Sequence, residues 1–401
     1  MIDAELRRAR GALGVSFFVQ GAVFALLVTR IPAIQDQYGI GDAALPVFLA
    51  AVPILAGVGS VAAEHLVKRV PPSAVLRWVQ PLVCLALVGV GVGDDVWHVA
   101  VALAAFGLTV GALDASMNML GVSLQRAYGR SIMLGFHAAY SLGGIAGASL
   151  AWAGAHWDIS LAVLYGSVVA VLAPVALYMS RYYVDARREE EAGKADALPA
   201  GPRAYRALLP LCMVMAFAYI GDATVSNWSA KYLEDVLHSS EELATVPYNI
   251  YMVTTLIGRA VGDRGVARWG GAAVVRAGSV LAAAGFAVVA VAPGAWAGMA
   301  GFTLLGFGLC VIVPQTFAAA GRLFPGAASD TAIARLNIFN YVGFLVGAPL
   351  VGAIGEAWSY RGAMLVPMAL VLATLLYARS YGTAPARYGG GHDRARAADV
   401  G

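Results

Sequence analysis

The sequence predicts an all-α integral membrane protein: twelve transmembrane helices in two parallel six-helix repeats around a central cavity. Three observations predict it. Hydrophobic residues make up 60% of the 401-residue chain and charged residues only 13%, where soluble domains carry about a quarter. Apolar runs of about 18–25 residues recur along its whole length, each able to cross a hydrocarbon core ~30 Å thick. Lys and Arg fall almost entirely on one set of loops, the pattern that orients polytopic helical proteins. With a mean hydropathy of +0.72, the chain is no soluble enzyme, secreted disulfide scaffold, disordered protein or outer-membrane barrel.

The spans follow in order. The first, 11–29, comes after Arg7, Arg8 and Arg10 with no small-residue cleavage site behind it, so it reads as an uncleaved helix. The second and third, 43–64 and 76–93, flank a basic loop. Gly93-Asp94-Asp95 breaks the chain before the fourth, 97–121. Helices over 131–153 and 160–179 complete a first unit, 1–179. The Arg- and Glu-rich interval 180–206, with Pro199 and Pro202 near its end, reads as a cytoplasmic linker. The second unit, 207–378, holds helices over 207–229, 246–263, 273–292, 295–319, 331–354 and 361–378, with Pro293-Gly294 before its fourth. The remainder, 379–401, carries Gly389-Gly390-Gly391 and scattered arginines and reads as a disordered cytoplasmic tail.

One set of loops and termini holds Arg7, Lys68, Arg69, Arg126, Arg130, Arg181, Arg264, Arg268 and many more cations; the opposite set holds only Arg30, Lys231 and Arg361. That opposite set carries acids instead, among them Asp94, Asp95, Asp158, Glu234 and Asp235. Both termini and the central loop are therefore expected in the cytoplasm of a protein spanning the inner (plasma) membrane. Cys84, Cys212 and Cys310 all lie inside apolar runs and read as small hydrophobes. No phosphate-binding Gly-x-x-x-x-Gly-Lys-[Ser/Thr] loop occurs, which disfavours ATP-driven transport. No nucleophile–base pair or metal constellation marks an enzyme, so neither metal nor cofactor is expected. A net charge of +3 carries no nucleic-acid signal.

The two units repeat each other. An offset of 199 pairs Gly59 with Gly258, Glu64 with Asp263, Arg69 with Arg268 and Arg77 with Arg276; an offset of 200 pairs Gly143 with Gly343 and Gly147 with Gly347. Six helices separate the copies, so both enter the membrane from the same side. Parallel repeats related by an axis along the membrane normal are a transporter architecture, with the site between the halves. The physical reading is a secondary transporter that moves a small-molecule substrate across the bilayer.

Twelve helices, a long central loop and basic loops after helices two and eight resemble the major facilitator superfamily over essentially 11–378. Its loop signature, of Gly-x-x-x-Asp-Arg-x-Gly-Arg type, is kept in part as Gly258-Arg259 and Gly262-Asp263-Arg264. The first copy instead reads Glu64-His65-Leu66-Val67-Lys68-Arg69, with Lys68-Arg69 replacing Asp-Arg. Arg30-Ile31-Pro32, Asp114-x-x-x-Asn118, His137-x-x-Tyr140-Ser141-Leu142-Gly143, Asp222 to Trp228 and Tyr341-x-Gly343-Phe344 are similar to a bacterial branch of ~400-residue members near the fucose–proton symporters.

Ionisable groups inside spans cost about 2.5–3.5 kcal/mol and mark function by default. Asp114 and Asp222 lie in the fourth and seventh helices, which the resemblance places on the cavity. A carboxylate in low dielectric favours its neutral form, which suits it to carry a proton. Asn118 lies one turn from Asp114 on the same face. His137 is the candidate relay at similar depth, and no second ligand at metal spacing accompanies it. Gln20, Asn118, Tyr140, Asn249, Trp228 and Asn340 are candidate substrate contacts, Trp228 equally suiting an outer aromatic belt. Glu64, Lys68, Arg69, Arg259, Asp263, Arg264, Arg126, Arg130 and Arg335 are candidate gate residues, with Glu64 and Asp263 natural partners for Arg335, Arg126 or Arg130.

The branch resemblance implies import of a sugar-like polar solute with protons. The very apolar cavity helices favour export of an amphipathic one in exchange for protons, and the sequence leans to that. A non-transporting membrane sensor on the same fold is a further reading.

Overall fold

The computed structural model describes residues 4–41, 44–185, 202–240, 243, 246–324 and 326–381. Expectations for the rest of the linker and for all but the first residues of the tail lie outside the described residues. Twelve helical passes are present: α1 (Ala4–Thr29), α2 (Leu45–Leu66), α3 (Pro72–Val92), α4 (Val96–Tyr128), α5 (Met133–His156), α6 (Leu161–Met179), α7 (Pro202–Lys231), α8 (Val246–Trp269), α9 (Gly271–Val291), α10 (Ala295–Leu323), α11 (Ala327–Ala357) and α12 (Tyr360–Tyr381). Among the described residues there is no strand.

Nine of these segments are long and apolar enough to cross a membrane. Of the remaining three, α5 is diluted by glycine and His137, and α8 by Arg259, Asp263 and Arg264. Several helices overrun their sequence-predicted ends, because polar end turns are stabilised by capping rather than by hydrophobicity. Asp95 accepts from the N–H groups of Trp97 and His98 to start α4. Gly129, at φ 68°, ends it. α7 begins at Pro202, inside the interval read as linker. A short helix, Ile31–Tyr38, was not foreseen; Tyr38 bonds the carbonyl of Val90 at 2.6 Å and holds it against α3.

Packing repeats between the halves. α1 packs on α5, α2 on α4, and α3 on both α4 and α6. In the second half α7 packs on α11, α8 on α10, and α9 on both α10 and α12. Across the seam α2 meets α11 and α5 meets α8, contacts that the same twofold exchanges. Small residues make the close approaches possible. A Cβ on Gly111 would strike the carbonyl of Ala56, one on Gly143 that of Phe18, and one on its repeat mate Gly343 that of Ala216. Outward faces expose residues such as Val101 (67%), Val163 (61%) and Val291 (76%). Lipid is as apolar as these side chains, so their exposure is unpenalised there.

Alternating helix direction gathers Lys68, Arg69, Arg126, Arg130, Arg181, Arg264 and Arg268 at one end of the bundle, the basic end. Asp94, Asp95, Asp158, Glu234 and Asp235 gather at the opposite, acidic end.

Candidate functional site

Asp114 lies more than halfway along α4 towards the basic end and reaches across the seam. Its carboxylate accepts from Asn118 of its own helix (3.3 Å) and, on α11, from Asn340 (3.3 Å) and Tyr341 (3.1 Å). Gln20 of α1 and Asn337 of α11 reach the same group. Every one of these donors is neutral. An ionised carboxylate accepts only, so it can serve several donors at once; a protonated one also carries a donor and is a weaker acceptor. A proton on Asp114 would therefore weaken the bonding between α4 and α11.

Asp222 of α7 accepts from the hydroxyl of Tyr251 on α8, with the Arg259 guanidinium near enough to bear on it. Arg259 spans the seam, donating to the hydroxyl of Ser141 at 2.7 Å and to the carbonyl of His137 at 3.5 Å. Tyr140 and Tyr219 lie near both acids. The two carboxylates, one per half, thus share an aromatic, hydroxyl-lined surrounding.

His137 is not bonded to Asp114. Its ring packs between Phe17 of α1 (centroids 5.4 Å) and Phe317 of α10 (6.3 Å), and Nε2 has no partner. Trp228, half-buried near the acidic-side end of α7, donates its indole N–H to the carbonyl of Ala348 at 3.0 Å and packs against Tyr360. An N–H group inside a bundle must find an acceptor, and the Ala348 carbonyl of α11 provides one. Asn249 is exposed, and Gln20 is buried.

Towards the basic end, further bonds join the halves. Arg335 of α11 pairs with Glu64 of α2 at 3.3 Å, Lys68 adds a contact to Glu64 at 3.8 Å, and Asn337 donates to Ser60 at 2.8 Å. Across the other seam Asp263 accepts from Ser131 at 2.5 Å and from the N–H of Gly135 at 2.9 Å, at the start of α5. Arg126 donates to the carbonyl of Phe324 at 2.9 Å, and Arg130 stacks on Tyr128. Neither arginine pairs with Glu64 or Asp263 as anticipated, since Arg335 and the α5 start occupy those carboxylates. Arg69 and Arg264 are exposed. These cross-seam bonds lie between the level of the two acids and the basic end.

Glu64→Gln is expected to loosen that end. Removing one partner of a buried pair costs about 3–5 kcal/mol, and Arg335's 27% side-chain exposure places this pair at the lower limit. A cysteine at Ser60 is expected to react at least ~10-fold faster with a maleimide applied from the basic side, and the Glu64→Arg, Arg335→Glu exchange to restore protection.

Tyr219 and Tyr251 escaped sequence reading, because tyrosine in a span reads equally as packing; Tyr219 sits one turn before Asp222, the one signal available. At the acidic end, Asp94, Asp95 and His98 bring ligand-type atoms within 4.8 Å of one another, fully in the open; Asp95 is already engaged in capping α4.

Two parallel six-helix repeats meet at a seam with one half-buried acid from each, the architecture of a membrane carrier. The family model of the major facilitator superfamily matches residues 13–296 and 211–398. The chain belongs to that superfamily, and secondary transport across a membrane follows. It is 28% identical over 376 residues to an uncharacterised MFS-type transporter of Yersinia pestis, covering 91% of this chain and 94% of that one. In fold it is similar to the fucose:proton symporter FucP in its outward conformation (TM-score 0.76, 16% identity, 94% and 99% covered). It is likewise similar to the human organic anion transporter TETRAN (TM-score 0.78, 13% identity, 94% and 100% covered).

Proposed function

We propose that the chain is a proton-coupled carrier of a small organic solute, working as an antiporter that exports an amphipathic one. The observation that carries this is Asp114: a carboxylate deep in the bundle, held by neutral donors from both halves. Its charge state sets how tightly α11 is bonded to α4, which links proton binding to movement of the halves. In this reading the basic end is cytoplasmic, both termini with it, the halves are 1–179 and 207–378, and the protein acts as a monomer in the inner membrane. The bonded basic end is then the cytoplasmic gate, closed in an outward-facing state, with Glu64, Arg335, Asp263 and Arg259 as its fastenings. Asp222 with Tyr251 and the flanking tyrosines binds solute.

A second reading, proton symport of a sugar-like solute, is favoured by the density of hydroxyl and amide groups around Asp114 and by the fold similarity to a fucose:proton symporter. Both are tested by reconstitution into liposomes containing a pH dye. Amphipathic solute loaded inside that drives proton entry supports the antiporter; sugars added outside that carry protons in support the symporter. Solute movement with no proton flux, or no movement at all in folded protein, contradicts both.

Tyr251→Phe separates the roles of the acids. A hydrogen bond to a charged group contributes about 1.5–3 kcal/mol, so the KM for solute is expected to rise roughly tenfold or more. The number of protons moved per solute stays unchanged in the same assay.

A further inference from the structure

Where α1 begins and α6 ends, at the basic end, a cavity of about 430 Å³ lies open to the surface, lined by Glu5, Arg8, Arg181, Tyr182 and Tyr183 with flanking backbone. Arg8 and Arg181 are both exposed, and among the described residues neither forms an ion pair or donates a hydrogen bond. Arg181 is nonetheless held in place: its guanidinium carbon lies 4.1 Å from the centre of the Tyr178 ring. Stacking on an aromatic face fixes the guanidinium plane while leaving its N–H edges free for an anion. A third arginine, Arg77 of α3, braces the site from behind by donating to the carbonyl of Ser180 at 3.0 Å. Asp185, four residues beyond Arg181, does not compete, because the backbone N–H and hydroxyl of Ser73 hold it.

The surface running away from this cavity is apolar. Val171 (62% exposed), Val175 (41%) and Tyr178 (49%) follow one another at helical spacing on one face of α6 and lead to Tyr182 on the cavity wall. Two guanidinium groups that no described residue pairs, above an exposed apolar stripe, match a molecule with a phosphate at one end and hydrocarbon at the other.

We propose that this cavity is a binding site for one anionic phospholipid of the basic-side leaflet. Arg8 and Arg181 hold the headgroup phosphate, and an acyl chain lies along Val171, Val175 and Tyr178. Inorganic phosphate shares the headgroup's chemistry but gains nothing from the stripe, so the two sources are separable. The site lies apart from both central acids and does not depend on which solute is carried.

The test is native mass spectrometry of the full chain in detergent with phosphatidylglycerol and phosphatidylcholine in equal amounts. A single phosphatidylglycerol adduct is expected to be preferred, with about fivefold of the preference lost per arginine removed. Arg8→Gln with Arg181→Gln is expected to bring the two lipids to parity, while Arg276→Gln with Arg379→Gln, which removes the same charge elsewhere at the basic end, keeps the preference. Arg8→Gln alone, at an exposed first turn of α1, serves if the double variant misfolds, and is expected to lose part of it. A preference that survives loss of Arg8 and Arg181, or falls equally in the control pair, overturns the proposal. Displacement of the lipid by millimolar inorganic phosphate overturns it too, by showing that the anion alone is bound.

Discussion

Asp114→Asn is expected to lower solute-driven proton flux by at least ~100-fold while leaving the protein folded and able to exchange solute across the membrane. Asparagine keeps the shape and one acceptor oxygen but cannot exchange a proton. The donors that converge on Asp114, from Asn118, Asn340 and Tyr341, then face a neutral group. Hydrogen bonds to charged groups contribute about 1.5–3 kcal/mol, against about 0.5–1.5 kcal/mol between neutral partners. Over two cross-seam donors the difference amounts to roughly 2–3 kcal/mol less attachment of α11 to α4. The variant should therefore behave as though permanently protonated: downhill solute exchange persists, uphill transport fails. Counterflow of solute measured beside dye-reported proton flux separates these two outcomes. Equal loss of both would make Asp114 a structural acid.

The second large effect is on assembly. Gly111→Leu is expected to prevent folding of the first half, read as loss of the monodisperse peak in detergent. The Cβ of any residue at 111 would press on the carbonyl of Ala56 in α2, and backbone cannot yield as a side-chain tip can. Overpacking of ordinary cores costs about 1–3 kcal/mol. Here the whole α2–α4 contact must separate, and the loss is greater. Gly57→Ala, where added atoms meet only open space, is the control expected to fold normally. A well-folded Gly111→Leu protein would show that the α2–α4 approach is looser than described.

Much of this architecture was legible in the sequence, because a bilayer leaves few solutions. Length and apolarity locate spans, Lys and Arg bias orders the loops, and the charged matches Glu64–Asp263 and Arg69–Arg268 betray the repeat. Helix ends were less legible: α4 runs to Tyr128, where Gly129 caps it beyond the apolar stretch, and α11 starts at Ala327, before its apolar stretch begins. Glu64 was legible as a partner for Arg335, Arg126 or Arg130, and the structure pairs it with Arg335. The choice among the three depends on the α2–α11 seam, which no local pattern encodes.

The chemistry of the centre was only half legible. Asp114 and Asp222 stand out because charge inside a span is costly, and Asn118 follows from helical spacing. Tyr251 and Tyr219 carry no such mark, because their polarity sits at the tip of an otherwise apolar side chain. His137 reads as a relay by residue type and depth. Its ring packs against Phe17 and Phe317, contacts set by neighbours on two other helices. Such tertiary selection of rotamer and partner lies beyond any periodicity in the chain.

In the proposed mechanism the charge on Asp114 controls closure of the basic end. The most direct measurement is the distance between spin labels at Ala127 and Leu323, exposed positions on opposite halves, at about pH 8 and about pH 5. A short distance is expected to dominate at the higher pH and a longer one to gain population at the lower. In Asp114→Asn the longer distance should be populated at both. A distribution indifferent to pH, or one that still responds fully in the Asn variant, would contradict the claim.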